Sequence, residues 1–435
     1  MKEIGGCVNV LIFPAGSENA IDIYDSLKYN LHFNVFGASG KADHAEFKYP
    51  REKLFLGNLY ITEKNFIYEF NKIIEKFKID YIIPTHDTIA LFLAENCNNI
   101  NAKLICSPYE TARIAENKEL TYEVLKDYYF YPKVYLNSNE VIKYPVFLKP
   151  YVGSGGNGTY IASNKKKLEH ILENNFNLLI TEYLPGREYS VDCFTNKDGE
   201  LLFSAPRTRE RITIGITFHS VRPEYNIEFE NIAKELNNKF KFRGAWFFQV
   251  KEDEFGNLKL MEFSVRQAGT MAFYRQLGVN FAALSLFDAM GYDIKIVFND
   301  YSLILDRCLK NSYRFDYEYD KLYIDFDDTL VINGNVNTTL MKLIYQSVSA
   351  NKKIILLTKH AYVLDESLKK YRISKELFDE IILIESDKKK ADYIDNSKAV
   401  FIDNYFPERM WVKELCNIPV FDVDAVECLI DSSGF

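Results

Sequence analysis

A short apolar run that ends in a lysine stands directly before a glycine-rich loop. The run at 146–150 reads Val-Phe-Leu-Lys-Pro, and the loop at 153–158 reads Gly-Ser-Gly-Gly-Asn-Gly. Glycine lets a backbone approach a phosphate closely and turn its N–H groups toward it, and Lys149 adds a positive charge for the same anion. No Gly-Lys-Ser/Thr ends the loop, so it is not a Walker loop. The pair predicts a phosphate site, with a plain glycine-rich hairpin as the alternative.

A glutamine and a glutamate on two strand-like runs predict a cation site. The runs at 245–250 and 258–263 are separated by a turn, and an antiparallel pair would bring Gln249 and Glu262 together. An amide and a carboxylate are costly to bury among apolar neighbours without a polar partner. A divalent cation is a natural partner, because carboxylate and carbonyl oxygens suit Mg²⁺. Ser264 and Arg266 follow directly.

Polar residues also follow two N-terminal apolar runs, at 8–13 and 80–84. Loops at the carboxyl ends of parallel strands are where such sheets bind ligands. Ser17, Glu18, His86 and Asp87 are therefore candidate substrate contacts. Ordinary turn and helix-cap residues are the alternative reading for each.

A second set of chemical groups lies in the last third of the chain. Asp325-Phe-Asp327-Asp-Thr follows an apolar run, Thr358 ends the next run, Lys390 lies in a run of three lysines, and Asp403 follows a fourth apolar run. Acidic strand ends are common in α/β proteins, and a lysine run is usually a solvated face. Four such runs alternating with helix-like segments predict a small parallel sheet.

Length and composition set limits on these predictions. The 435 residues predict more than one domain, and 47% hydrophobic residues give a sizeable core. A net charge of −8 argues against a nucleic-acid binder. The seven cysteines form no C-x-x-C pair, the N-terminus lacks a signal pattern, and no apolar run is long enough to span a bilayer. We therefore expect a cytoplasmic protein with no membrane partner.

Residues 1 to about 298 resemble the ATP-grasp superfamily, in its carbamoyl-phosphate-synthetase-like carboxylate–amine ligase branch. The resemblance lies in an ordered set: Lys118, Lys149 with the glycine loop, Thr-Glu182-Tyr-Leu-Pro-Gly, then Gln249, and Met-Glu262-Phe-Ser-Val-Arg266. It implies ATP and Mg²⁺ as cofactors. This chain has Ser264 where that family usually has asparagine.

The resemblance also implies a role for each residue of the set. Lys118, Lys149 and the loop residues Gly153, Ser154, Gly155 and Gly156 would hold the phosphates. Glu182, Tyr183 and Leu184 would contact the adenine, and Glu188 the ribose. Gln249, Glu262 and Ser264 would bind Mg²⁺, and Arg266 would stabilise the acyl-phosphate transition state.

Residues 321–435 resemble the haloacid-dehalogenase-like (HAD-like) phosphatases, through the four segments of the last third taken in order. The resemblance implies that Asp325 is the nucleophile and Asp327 the general acid and base. Thr358 and Lys390 would hold the phosphoryl group, and Asp325, Asp327 and Asp403 would form the Mg²⁺ site. Asn404 replaces an often-seen second aspartate. The spacing leaves no room for an inserted cap domain.

Together these features predict a chain of mixed α/β and α+β class. We expect an α/β pre-ATP-grasp domain at 1–110, an ATP-grasp domain at 111–298, a linker at 299–320 and a small capless Rossmann-like HAD domain at 321–435. The predicted protein is a bifunctional ligase and phosphatase acting on a small carboxylate, an amine and a phosphorylated small molecule. A ligase with a non-catalytic C-terminal scaffold, and a nucleotide-binding regulatory module, are the alternatives. The sequence does not fix the oligomeric state.

Overall fold

The computed structural model describes residues 7–153, 155–213, 215–308, 311–313 and 315–431. The chain forms two compact units. One comprises Met1–Glu46 with Arg51–Leu309, and the other comprises Phe47–Pro50 with Lys310–Phe435. In the described part of the chain, no helix has the length and apolar character that crossing a membrane requires.

The first unit begins with a five-stranded parallel sheet in the order β3-β2-β1-β4-β5. Its strands are β1 (Val8–Phe13), β2 (Phe33–Ser39), β3 (Leu54–Leu56), β4 (Tyr81–Pro84) and β5 (Lys103–Leu104). The helices of this region are α1 (Glu18–Leu27), α2 (Phe66–Phe77), α3 (Asp87–Glu95), α4 (Tyr109–Glu116) and α5 (Lys118–Leu125). The central strands are buried apolar runs, as expected for a parallel sheet covered on both faces. Ser17 caps α1 by accepting the N–H of Ala20, so its predicted alternative role as a cap residue is confirmed.

A small antiparallel sheet carries the glycine loop, in the order β6-β9-β7-β8. Its elements are β6 (Val134–Tyr135), β7 (Val146–Pro150), β8 (Tyr160–Ala162), α6 (Lys165–Asn174) and β9 (Leu178–Glu182). The loop joins β7 to β8, so the hairpin that the sequence predicts is present. Gly155, Gly156 and Gly158 have φ of 69°, 72° and 71°, a backbone conformation that favours glycine.

Two further antiparallel sheets complete the first unit, in the orders β11-β10-β14-β15 and β12-β13-β16. The strands are β10 (Glu188–Thr195), β11 (Leu201–Thr208), β12 (Arg211–Thr213), β13 (Ile216–Val221), β14 (Gly244–Glu252), β15 (Leu258–Ser264) and β16 (Ile304–Asp306). The helices are α7 (Ile227–Lys239), α8 (Ala272–Gln276) and α9 (Phe281–Ala289). Gln249 pairs with Glu262 across β14 and β15, as the sequence predicts.

The predicted linker at 299–320 differs from the structure. Its residues 304–306 form β16, which pairs with β13 through His219, Ser220 and Val221. The sequence gives no sign of this strand, because it is only three residues long and its partner is more than eighty residues away. Part of the predicted linker therefore belongs to the first unit.

The second unit is built on a parallel sheet in the order β21-β20-β17-β22-β23. Its strands are β17 (Lys321–Ile324), β20 (Lys353–Thr358), β21 (Glu380–Leu383), β22 (Ala399–Ile402) and β23 (Val420–Phe421), and a small hairpin comprises β18 (Val331–Ile332) and β19 (Asn335–Val336). The helices are α10 (Thr338–Ser349), α11 (Leu364–Lys370) and α12 (Phe406–Cys416). Leu322 and Ile324 pack in one buried cluster and Tyr323 in another, so both faces of the sheet are covered. Because the strands are parallel, Asp325, Thr358 and Asp403 follow them at one edge.

Candidate functional site

Two buried lysines lie beside the glycine loop in the first unit. Lys149, on β7, donates hydrogen bonds from Nζ to Tyr122 Oη at 2.5 Å and to the Met261 carbonyl at 2.8 Å. Lys118, the first residue of α5, donates from Nζ to the Gly153 carbonyl at 2.7 Å. Its ammonium also lies 3.3 Å from a carboxylate oxygen of Glu262. The predicted phosphate-binding lysines and the predicted metal-binding glutamate thus meet at one place.

Burial changes the chemistry of Lys149. Burial lowers the pKa of Lys149 to about 7. The negative charge of Glu262 raises this pKa and the positive charge of Lys118 lowers it, and burial is the largest of the three effects. The lysine therefore gains or loses its charge near neutral pH, and an anion placed beside it favours the charged form.

The glycine loop lies close to the turn between β12 and β13. A Cβ added to Gly215, which has φ of 73°, would lie 2.2 Å from the Cα of Gly155. Because Gly215 has no Cβ, the backbones at Gly155 and Gly215 approach each other more closely than a side chain at position 215 would allow. The predicted loop residues Gly153, Gly155 and Gly156 all line a cavity of about 280 Å³, together with Lys149 and Glu188. Ser154 lies outside the described residues.

Glu188 lies in this cavity, paired with an arginine. Its carboxylate accepts from Arg209 Nε at 2.7 Å, and Arg209 also donates to the Gly215 carbonyl at 3.0 Å.

Glu182 ends β9, and its carboxylate accepts the backbone N–H of Lys133 at 2.8 Å. Tyr183 and Leu184 follow it in the chain, and Leu184 is buried.

Ser264 and Arg266 contact Asp87, the first residue of α3. The Ser264 hydroxyl donates a hydrogen bond to the Asp87 carboxylate. Arg266 donates to Asp87 Oδ2 from Nε at 2.9 Å, and its Nη2 lies 2.7 Å from the same oxygen. Burial raises the pKa of Asp87, but Arg266 and Ser264 outweigh burial, so the pKa is lowered overall. Ser264 Oγ, predicted as a metal ligand, donates its hydrogen to this carboxylate, and its role at a metal stays a prediction. Asp87 anchors Arg266, a link between distant elements that sequence reasoning did not find.

A larger cavity of about 630 Å³ joins these groups to the N-terminal loop tips. Its lining includes Ser17, Glu18, His86 and Asp87 on one side and Gln249, Glu262, Ser264 and Arg266 on the other. Burial and then Arg266 lower the pKa of His86, which favours the neutral form of its imidazole. The four predicted substrate contacts therefore share a cavity with the predicted metal and transition-state residues.

Several buried polar atoms of this cavity have no hydrogen-bond partner among the described residues. They are Asn19 Oδ1, Ser190 Oγ, Arg207 Nη1 and Thr217 Oγ1. These atoms are themselves buried, so they lie within the wall of the cavity rather than on its surface.

Arg207 and Asp192 form a buried ion pair below this cavity. Arg207 donates from Nε at 2.8 Å and from Nη2 at 3.0 Å, and the two side chains are 1% and 0% exposed. Both lie on the β10–β11 hairpin, where the strand register places Ser190 opposite Arg207. These contacts fix the Arg207 guanidinium and neutralise its charge locally. Nη1 is the nitrogen that they leave without a hydrogen bond to a described residue.

In the second unit, a lysine bridges two buried carboxylates. Lys390 Nζ lies 2.5 Å from Asp325 Oδ1 and 2.6 Å from Asp403 Oδ2. Burial raises the pKa of both aspartates, and the charge of Asp325 raises that of Asp403 further, while Lys390 opposes both effects. The run that contains Lys390 is thus not simply a solvated face, because Lys390 itself is buried.

Two threonines complete this cluster. Thr329 Oγ1 donates to Asp325 Oδ2 at 3.2 Å and lies 3.1 Å from Asn404 Oδ1. Thr358 is buried and lies near enough to lower the pKa of Asp325, yet its hydroxyl makes no hydrogen bond of standard geometry with a described residue. The position of this hydroxyl beside Asp325 agrees with the predicted phosphoryl contact, which stays a prediction.

Asp327 stands apart from the bridged carboxylates and contacts a histidine. His360 Nδ1 lies 2.8 Å from Asp327 Oδ2 and 3.0 Å from Oδ1, and His360 Nε2 lies 2.7 Å from Ser367 Oγ. Sequence reasoning did not find His360, although its position two residues after Thr358 was a usable signal.

Both predicted metal sites have suitable donors. In the described ranges, no group of three or more His, Cys, Asp and Glu side chains is arranged to hold a metal ion. The donors present are pairs: Gln249 with Glu262 across two strands, and Asp325 with Asp403 around one ammonium. Carboxylate and amide oxygens are the ligands Mg²⁺ prefers, and it keeps several waters, so a pair of protein donors fits this ion.

Sequence comparison relates part of the first unit to known families. Residues 174–302 match a family described as ATP-grasp in the biosynthetic pathway with Ter operon. The arginine-specific carbamoyl phosphate synthase large chain of Bacillus subtilis is 24% identical over 221 residues, 45% of this chain and 21% of that protein. The Halalkalibacterium halodurans protein of the same name is 34% identical over 101 residues, 22% of this chain and 8% of its own. The chain thus spans about a fifth or less of these curated relatives.

Structural comparison extends the likeness to two-thirds of the chain. The biotin carboxylase domain of Hydrogenobacter thermophilus 2-oxoglutarate carboxylase, solved with MgADP and bicarbonate, superposes with a TM-score of 0.56 at 17% identity. It covers 68% of this chain and 73% of that one. The N5-carboxyaminoimidazole synthetase of Staphylococcus aureus gives a TM-score of 0.55 at 14% identity, covering 67% and 80%. The chain therefore contains an ATP-grasp fold with parallel and antiparallel sheets.

Proposed function

We propose, starting from this ATP-grasp fold, that the chain is a bifunctional enzyme. Its first unit is an ATP-dependent carboxylate–amine ligase that acts through an acyl phosphate. Its second unit is a Mg²⁺-dependent, HAD-like phosphatase that acts through an aspartyl phosphate. The two activities depend on separate sets of side chains.

The observation that carries the ligase proposal is the meeting of Lys118, Lys149, Gln249, Glu262 and Arg266 around connected polar cavities. A carboxylate is a poor electrophile, and phosphorylation by ATP makes it open to attack by an amine. The site must therefore neutralise crowded phosphate charge, which lysine, arginine and a metal can do. The structural neighbours support this proposal, since they were solved in complexes with MgADP, ADP, ATP and bicarbonate.

Each side chain then has a definite task in the ligase. Lys118 and Lys149 bind the phosphate oxygens, and the glycine loop covers them and excludes water, which would otherwise hydrolyse the acyl phosphate. Gln249 and Glu262 would hold Mg²⁺, which supplies charge neutralisation at the transferred phosphoryl group. Arg266, held in place by Asp87, faces the negative charge that develops during the transfer.

The phosphatase proposal depends on the cluster of Asp325, Lys390 and Asp403. Asp325 supplies the attacking carboxylate, and Lys390 screens its charge from the phosphate. Thr358, buried beside Asp325, would hold the phosphoryl oxygens through its hydroxyl. Asp325 and Asp403 would hold Mg²⁺, which supplies further charge neutralisation there.

Calorimetry with MgADP tests the ligase proposal. Wild type should bind MgADP, and Glu262→Gln should weaken this binding while leaving binding of metal-free ADP nearly unchanged. Glu254→Gln, at an exposed glutamate paired with Lys143, is the matched control. Turnover of ATP should then require both an added carboxylic acid and an amine. Nucleotide binding without such turnover over a broad panel would support a regulatory module instead.

Hydrolysis of p-nitrophenyl phosphate tests the phosphatase proposal. Asp325→Asn keeps the shape of the side chain but removes its nucleophilicity, so the reaction should stop. Failure of the wild type to hydrolyse aryl phosphates in Mg²⁺ would favour a non-catalytic scaffold.

A further inference from the structure

We infer that His360 is a positioning residue that orients Asp327 for proton transfer in the proposed phosphatase reaction. The inference rests on the proposed function of the second unit. It assigns a task to a buried histidine that the cluster around Lys390 does not use.

The geometry at Asp327 shows why support is needed. The Asp327 side chain is 54% exposed, so packing alone does not fix its orientation. His360, with a side chain only 4% exposed, reaches it through Nδ1 at 2.8 and 3.0 Å. In the tautomer that carries its hydrogen on Nδ1, the imidazole donates to the Asp327 carboxyl oxygens.

His360 is itself held on several sides. Its Nε2 lies 2.7 Å from the hydroxyl of Ser367 on α11. Its ring contacts that of Phe326 edge to face, with centroids 5.0 Å apart, and that of Tyr362 at 5.7 Å. Three segments thus fix one imidazole, which then fixes one exposed carboxyl group. A plain structural histidine is the competing explanation, and it predicts no link to proton transfer.

The proposed reaction explains what this orientation achieves. The Asp325 carboxylate forms a bond to phosphorus while the ester P–O bond breaks. The departing oxygen takes the proton of Asp327 and leaves as an alcohol. Water then hydrolyses the aspartyl phosphate and returns a proton to Asp327. His360 Nδ1 contacts both carboxyl oxygens and lies nearer to Oδ2; when it holds Oδ2 of the protonated carboxyl group, Oδ1 carries the transferred proton toward the ester.

The experiment compares two phosphate esters that differ in their need for a proton. p-Nitrophenolate departs without one, whereas the phenolate of phenyl phosphate departs far more readily when protonated. His360→Phe keeps the aromatic packing but removes the donor. We expect it to lower kcat/KM for phenyl phosphate by on the order of tenfold, and that for p-nitrophenyl phosphate by less than about threefold.

Other variants make the test specific. His360→Asn retains a donor near the Nδ1 position and should restore much of the phenyl phosphate activity, whereas His360→Gln places its amide at the other nitrogen and should not. Asp327→Asn should show the same preference between esters, and adding His360→Phe to it should cause no further loss. Thermal unfolding shows whether each variant is folded. If His360→Phe is not folded, the comparison uses His360→Asn and His360→Gln alone.

The outcomes separate the inference from the proposed function. Parallel loss on both esters, no loss on either, or full additivity with Asp327→Asn overturns the role of His360. Absence of Asp325-dependent hydrolysis in the wild type overturns the phosphatase proposal itself, and the inference with it.

Discussion

Lys149 owes its chemistry to burial. Its ammonium is enclosed by Tyr122 and the Met261 carbonyl, and its pKa falls to about 7. Tyr122 lies under the same ammonium, with its ring centroid 4.7 Å away. A lysine in this state binds phosphate well only after it has taken up a proton.

The first prediction is therefore proton uptake on nucleotide binding. Above pH 7 the free protein holds Lys149 mostly neutral, and the bound phosphates raise its pKa, so binding takes up a proton. The apparent affinity for MgADP should fall as the pH rises from 7 to 9, and uptake should vanish well below pH 7. Calorimetry in buffers of different ionisation enthalpy measures this uptake. Lys149→Arg remains charged throughout and should bind without uptake. Equal uptake in that variant would contradict the assignment.

The Arg207–Asp192 pair leads to a prediction about stability. Both side chains are essentially without solvent exposure, and Asp192→Asn would leave the guanidinium buried without its counter-charge. Breaking a buried pair typically costs about 3–5 kcal/mol. We expect a clear drop in the thermal midpoint of the first unit. Asp300→Asn, at the exposed pair with Arg222, serves as the control and should change little. Equal shifts in both variants would contradict this.

At the residue scale, the sequence predicts contacts that follow from strand alternation. Gln249 and Glu262 lie near each other because a short turn joins their strands, although a β-bulge between Gln249 and Val250 shifts the register by one residue from the one that the turn sets. Asp87 beneath Arg266, and His360 beside Asp327, could not be predicted in this way. Each of these pairs joins segments that only the tertiary fold brings together, and no periodicity encodes such a contact.

At the scale of elements, long apolar runs were predictable and short edge strands were not. β1, β14 and β20 are buried runs whose composition alone favours strands. β16 and β23 have three and two residues and depend on pairing with a strand already in place. This is why part of the predicted linker forms a strand in the structure.

The contact between the glycine loop and Gly215 gives a prediction at this scale. Gly215→Ala would place a Cβ on the Gly155 backbone, so the loop must move away from the cavity. We expect MgADP affinity to fall by on the order of tenfold, which corresponds to about 1.4 kcal/mol. Gly256→Ala is a matched control, since Gly256 has a similar φ of 83° but no atom within 4 Å of the added Cβ. Calorimetry on both variants separates displacement of the loop from backbone strain, and equal effects would contradict the contact.

At the scale of the whole molecule, each unit has its own buried core. The cluster around Trp246 and Phe248 belongs to the first unit, and the cluster around Ile324 and Leu356 to the second. We expect the two proposed activities to be lost separately. Lys149→Met should weaken MgADP binding and leave aryl phosphate hydrolysis unchanged, and Asp325→Asn should do the reverse. Paired calorimetric and colorimetric assays on the two variants provide the measurement. Loss of both activities in either variant would contradict separate sites.

The ammonium of Lys390, held between Asp325 and Asp403, has a practical consequence for handling the protein. A lysine that already serves as counter-ion makes the buried carboxylates tolerable without any divalent ion. We therefore expect an EDTA-treated sample to melt as a folded protein and to regain phosphatase activity when Mg²⁺ is returned, in contrast to zinc fingers, which unfold without metal. Metal exchange, storage in chelator and crystallisation of the metal-free form would then all be practicable with the same preparation.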